Sequence, residues 1–144
     1  MEELLELRGY IEHQQYPEAL DLLGEMEEMS RQDKINKIYS FVKVLLLHLI
    51  KQNAEKRTTR SWDYSIRNVL NSIARTNQMR KAKGRYLSEE GLKETIHQAY
   101  ALALAKASLE AFEGQYDEKQ FSEMVDRSQI EQKAFDLIKN YHEA

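Results

Sequence analysis

Between Ile35 and Ile50 the chain carries an apolar pattern that leaves few folds open. Ile35, Ile38, Tyr39, Val42, Leu45, Leu46, Leu49 and Ile50 recur at the i, i+3, i+4, i+7 spacing of one helix face over four turns. A second stripe, Phe41, Val44 and His48, lies beside it. Asn36, Ser40, Lys43 and Lys51 make the only polar strip, and Leu47 interrupts it. A helix apolar over most of its circumference must be covered from several sides. This stretch therefore predicts the central helix of a bundle. One proline and five glycines in 144 residues are too few for the tight turns of a β protein, and the fold class expected is all-α.

The flanking segments supply the covering helices. A first helix is expected over 2–14, with Leu4, Leu5, Leu7 and Ile11 as its apolar side. Tyr16-Pro17 restarts the chain, since proline is best tolerated in a helix's first turn. Ala19, Leu20, Leu22, Leu23 and Met26 then predict a short second helix, and Ser30 or Asp33 is the expected cap of the third. Tyr16–Leu20 is reminiscent of a tetratricopeptide helix, but no 34-residue repeat accompanies it. After a charged loop at 55–60, Ser61 is the expected N-cap of a fourth helix with Trp62, Ile66, Val69, Leu70 and Ile73 facing inward. The short loop makes helices three and four antiparallel neighbours. Gly84 closes this region, and Ser88 caps a fifth helix carrying Leu92, Ile96, Ala99, Ala103 and Ala107 as far as Gly114. Alanines 99, 101, 103, 105 and 107 allow close backbone approach. Phe121, Met124, Val125, Ile130, Ala134, Leu137, Ile138 and Tyr141 predict one or two closing helices in 115–144. The expectation is one all-α domain over 1–144, a single bundle of about five to six helices around a central hairpin, 33–81.

A domain of this length buries about 70% of the surface its unfolded chain exposes, so it needs no covalent staple. The chain has no cysteine, which removes disulfides, thiolate metal sites and thiol nucleophiles together. Its apolar runs, Val44–Leu47 among them, fall far short of the ~18 residues of a membrane span. An acidic start, Met-Glu-Glu-Leu-Leu-Glu, is unlike a basic signal or transit peptide. A soluble cytoplasmic protein is expected, with no cofactor and no metal site.

Charge is distributed unevenly. Residues 1–50 carry net −5, residues 51–85 net +8 and residues 86–144 net −6, giving −3 overall. A basic middle between acidic flanks is either a polyanion site or a segment that its folded flanks neutralise. Lys56-Arg57-Thr58-Thr59-Arg60 lies between the negative end of one helix and the positive end of the next. Arg60, Ser61 and Trp62 could hold a phosphate, sulfate or partner carboxylate there, unless glutamates of the first two helices occupy the place. His48 is either a core histidine making one hydrogen bond or a buried acid–base or anion-contacting group. His48, Arg57, Arg60, Ser61, Trp62 and Arg67 are thus the candidate anion- or partner-binding residues. A second basic run, Arg75, Arg80, Lys81, Lys83 and Arg85 beside Tyr86, could follow a nucleic-acid backbone or be a solvated helix end.

Catalytic signals are sparse. Glu94-x-x-His97 has the spacing of helical di-iron sites, but those need a second copy and none exists. Arg8 and His13 match the Arg-x4–6-His pattern of helical HEPN nucleases in those two residues only, with Gly9 where a polar residue is usual. No Gly-rich phosphate loop, nucleophile elbow or His-Glu-x-x-His occurs. Leu47, Met26, Met29, Phe135 and Tyr141 are candidates for an apolar contact with a partner or a second copy.

The segment from about Tyr16 to Ile73 resembles domain of unknown function family 29, a bacterial family abundant in cyanobacteria. The likeness rests on the acidic lead-in Leu20–Glu28, on Val44–Lys51 with His48, on Lys56–Arg60, and on Ser61-Trp62 with Ile66. Gln52 replaces a tryptophan common in the family, the linker lacks a Gln-Pro, and residues after about 110 depart from the usual tail. The resemblance implies an all-helical bundle and no activity. The function expected is a non-catalytic interaction module that binds a protein partner or itself. The alternatives are an accessory nucleic-acid-binding protein using Arg57, Arg60, Arg67, Arg75, Arg80 and Lys81, and a helical ribonuclease using Arg8 and His13.

Overall fold

The computed structural model describes residues 2–78 and 85–141. Six α-helices follow in order: α1 (Glu2–Glu12), α2 (Tyr16–Glu55), α3 (Arg60–Asn77), α4 (Glu89–Glu110), α5 (Glu118–Ser122) and α6 (Arg127–Asn140). A 3-10 turn, Ala111–Gly114, joins α4 to α5. No strand occurs among the described residues, and the all-helical bundle anticipated from the apolar pattern is what forms.

The main departure is α2. The break expected at Ser30 or Asp33 is absent, and the second and third helices are one element of 40 residues, about 60 Å long. Ser30 and Asp33 do favour caps, but no proline or glycine interrupts residues 25–55. The polar stretch between them is made of helix formers, and Gln32 Nε2 donates to Asn36 Oδ1 at 3.0 Å along the helix. Pro17 stands in the first turn as expected. The C-terminal end is closed by Lys56 in the left-handed conformation (φ 53), its N–H bonded to Gln52 O.

The core gathers on the C-terminal half of α2. Ile38, Val42, Leu45, Leu46, Leu49 and Ile50 are buried there with Val69, Leu70 and Ile73 of α3. α4 covers another side through Leu92, Ile96, Ala99, Ala103 and Ala107. The three alanines recur every fourth residue, so one strip without bulk lets α4 approach α2 closely. Ala101, by contrast, is exposed. Ile130, Ala134 and Phe135 of α6 and Phe121 of α5 complete the core. Leu47, expected to break the polar strip toward a partner, is only 7% exposed, and Phe135 is likewise internal. Neighbouring helices of the same chain cover both.

The N-terminal half of α2 is different. It pairs with α1 as a two-helix arm. α1 has no buried residue, and Ala19 is the only buried residue of α2 before Ile38. Leu4, Leu5 and Ile11, expected to face inward, are 51%, 69% and 51% exposed. A two-helix hairpin buries only its shared seam, and Leu7, Leu22 and Met26 take that place as half-buried residues.

Candidate functional site

The histidine, the basic linker and the Ser-Trp pair come together as a polar cluster at the closed end of the α2–α3 hairpin. Thr58 ties the two helices: Gln52 Nε2 donates to its Oγ1 at 2.8 Å, and that hydroxyl donates to Asp63 Oδ1 at 2.7 Å. The N-cap of α3 is Thr59, whose Oγ1 accepts from Trp62 N at 3.0 Å. Ser61, the cap expected from sequence, lies exposed inside the first turn instead. The extended backbone a cap requires falls two residues earlier, because Lys56 already terminates α2 and the loop is short.

Trp62 is the platform of this cluster. Lys51 Nζ stands 4.8 Å from its ring centroid and the Arg57 guanidinium 4.9 Å. Such contacts favour a cation over an aromatic face. Lys51 is buried and pairs with Glu110 Oε1 of α4 at 2.9 Å, while Arg57 Nε pairs with Glu55 Oε1 at 3.0 Å. Of the linker cations Arg57 is thus neutralised from the end of α2, and Lys51 before the linker from α4, neither by the acidic first helices. His48, one turn before Lys51, is buried and its Nδ1 has no partner. Burial pushes its pKa down, the nearby Lys51 adds to this, and Glu110 opposes it weakly. His48 is thus a covered imidazole whose neutral form is favoured, and Lys51 a cation already held by a carboxylate.

Arg60 and Arg67 are not buried and make no ion pair among the described residues. With Tyr64, 69% exposed, they form one outward stripe on α3 at i, i+4, i+7. Arg75 continues that side and is engaged in an interaction of its own. Arg80, Lys81 and Lys83 lie outside the described residues. The residues on either side of them are joined: Asn77 is buried, its Oδ1 accepts from Leu87 N at 2.8 Å, and Gln78 forms an isolated antiparallel bridge with Arg85. Between α3 and α6 an apolar groove of about 700 Å³ is floored by Leu70, Leu137 and Tyr141.

A second polar cluster was not legible in the sequence. Arg127 Nε pairs with Glu131 Oε2 at 2.6 Å, its guanidinium stacks 4.5 Å from the Tyr100 ring centre, and Nη2 donates to His97 O at 3.2 Å. His97 Nδ1 lies 3.2 Å from Glu131 Oε1. Burial raises the Tyr100 hydroxyl to about 12. Only the i, i+4 spacing of Arg127 and Glu131 hinted at a pair; joining them to α4 needed the fold. Glu94 does not join this cluster, and no group of three or more potential metal ligands occurs among the described residues.

Arg8 and His13 are not brought together. Arg8 Nε pairs with Glu12 at 2.7 Å, and His13 Nδ1 donates to Gly9 O at 2.8 Å, both on the exposed arm. That arm carries most of the exposed large apolar side chains among the described residues. Leu4, Leu5, Ile11, Tyr16, Leu20, Leu23 and Met29 are each at least 39% exposed. Elsewhere among the described residues only Tyr64, Leu102, Leu109 and Met124 are exposed large hydrophobics. Among the described residues no helix is long and apolar enough to cross a membrane. No curated protein and no solved structure matches this chain. The family model described as "Domain of unknown function DUF29" matches residues 13–133, well past the 16–73 segment that carries the resemblance, and the chain belongs to that family.

Proposed function

We propose that this chain is a non-catalytic helical interaction module that binds a protein partner through the arm of α1 and the first turns of α2. The observation that carries this reading is the arm's bare apolar face. Tyr16, Leu20 and Leu23 form an i, i+4, i+7 stripe at 55%, 68% and 39% exposure, the pattern of anchors a helix offers to a groove. Contiguous apolar surface on a soluble domain marks a contact site. The family resemblance supports a bacterial source for the module. A ribonuclease reading would need Arg8 and His13 released from the local bonds they make.

A photo-crosslinking residue placed at Leu20 in the source cells should yield one discrete protein adduct, and the same residue at Met124 should yield none. Absence of an adduct at Leu20 overturns the reading. The runner-up, an accessory nucleic-acid binder, is favoured by the Arg60–Tyr64–Arg67 stripe, where free cations flank an exposed ring. It predicts binding to single strands that collapses between about 50 and about 200 mM salt and weakens on Arg60→Ala or Arg67→Ala.

A further inference from the structure

We infer that the arm's partner is a second copy of this chain, bound as a closed two-fold dimer in which each arm lies along the partner's α3. This inference rests on the interaction-module reading and names its occupant. It starts from charge. Residues 1–30 hold nine carboxylates against Arg8 alone, while residues 56–85 hold nine basic side chains against Asp63 alone. These blocks are net −8 and net +8. The two ends of the basic block lie differently: Tyr86, just past its last residue, lines one pocket with Gly24, Glu27 and Glu28, while its first residues are remote from the arm. The free cations Arg60 and Arg67 stand at the start of α3, just past the C-terminal end of α2, whereas the arm is at its N-terminal end. Leu20 and Glu55 are about 50 Å apart along one helix, several times the ~10 Å over which exposed charges act at 0.1 M salt. One chain cannot bring its own arm to Arg60 and Arg67.

Two antiparallel copies can. α3 runs back along α2, so a second α2 laid antiparallel to the first runs parallel to α3 and offers its arm to that helix. The stretch Tyr16–Arg31 is about 24 Å long and α3 about 27 Å. The chemistry also matches. Beside the cationic stripe lies the apolar groove of Leu70, Leu137 and Tyr141, a seat for Leu20 and Leu23, and Tyr64 adds an exposed ring. Arm-on-arm pairing would set two net −8 blocks together and is disfavoured. Arm-on-α3 pairing repeats identically about a two-fold axis, so it closes and does not propagate. Each of the two contacts need supply only half of the ~1,200–2,000 Å² that stable interfaces bury.

Sedimentation of the purified full chain tests this with two charge-swapped variants. One carries Arg60→Glu and Arg67→Glu. The other carries Glu2→Lys, Glu18→Lys and Asp21→Lys, all exposed positions with no ion pair among the described residues. The wild-type chain should sediment at twice 17.0 kDa. Each variant alone should lose at least tenfold in self-affinity with its helical circular dichroism intact. An equimolar mixture should recover a heterodimer, because each arm again meets an opposite charge. A monomeric wild type, a dimer indifferent to Arg60→Glu and Arg67→Glu, or a mixture that stays monomeric overturns the inference. A Leu20 crosslink to a different protein, with a monomeric wild type, overturns self-pairing but not the module reading. No Leu20 crosslink at all overturns both, and retention of nucleic acid by a monomer overturns self-pairing in favour of the runner-up.

Discussion

His48 shows what burial does to a single titratable side chain here. The fold covers the ring, leaves Nδ1 without a partner and sets Lys51 one turn away, so the charged imidazolium is disfavoured. Its folded pKa lies below the ordinary 6.5. As pH falls through that value the unfolded chain takes up a proton that the folded chain resists. The stability associated with a neutral His48 is therefore present above about pH 6.5 and is lost as pH drops toward the depressed folded value. We expect the urea midpoint of the wild type to fall between about pH 7.5 and about pH 5.5, and this fall to be smaller in His48→Leu. At neutral pH the substitution should be close to neutral or mildly stabilising, since it removes an unpaired buried nitrogen. An unchanged pH slope would show that other groups set it. That His48 sits on the inner side of its helix was readable from its place beside Phe41 and Val44. Its chemistry was not, because the perturbing groups come from one turn along α2 and from α4, 62 positions away in sequence at Glu110.

Helix boundaries separate into those set by local chemistry and those set by its absence. Ser88 caps α4 as its sequence predicts, accepting from Gly91 N at 3.1 Å, and Pro17 opens α2. The end of α4 depends on three successive left-handed residues, Phe112, Glu113 and Gly114, with φ of 51, 59 and 74. A Cβ on Gly114 would stand 3.0 Å from Leu109 O. Gly114→Ala should therefore cost about 1–2 kcal/mol in urea unfolding, through αL strain and that approach. Gly24, inside α2, should behave oppositely, because a Cβ added there would meet nothing within 4 Å. Gly24→Ala should slow amide exchange in the arm, by about 0.5–1 kcal/mol of local stability. The break expected at Ser30 or Asp33 fails because a weak cap signal inside a run of helix formers has nothing to stop propagation.

The whole molecule divides into a packed bundle and a bare arm. Of the described buried apolar residues only Ala19 precedes Ile38, so the arm contributes little to the cooperative core. A chain beginning at Asp33 should keep a single unfolding transition, with a stability within about 1 kcal/mol of the parent, and should lose the self-association proposed above. A large loss of cooperativity on truncation would show that the arm is integral to folding. The opposed charge blocks belong to this scale too. They were countable in the sequence, but the distance of Arg60 and Arg67 from the arm along a continuous α2 was not, since a break at residue 30 would have let the arm fold back over α3.

Apolar periodicity and the scarcity of glycine and proline were enough to determine the helical class and the central role of residues 38–50, and local chemistry the cap at Ser88, because each is governed by neighbours within one or two turns. Tertiary structure alone decided which apolar faces remained open. Leu47 and Leu20 read alike as leucines on a helix, yet one is covered and the other is 68% exposed. Burial depends on what packs across from a residue, and here α3, α4 and α6 all gather on the same half of α2.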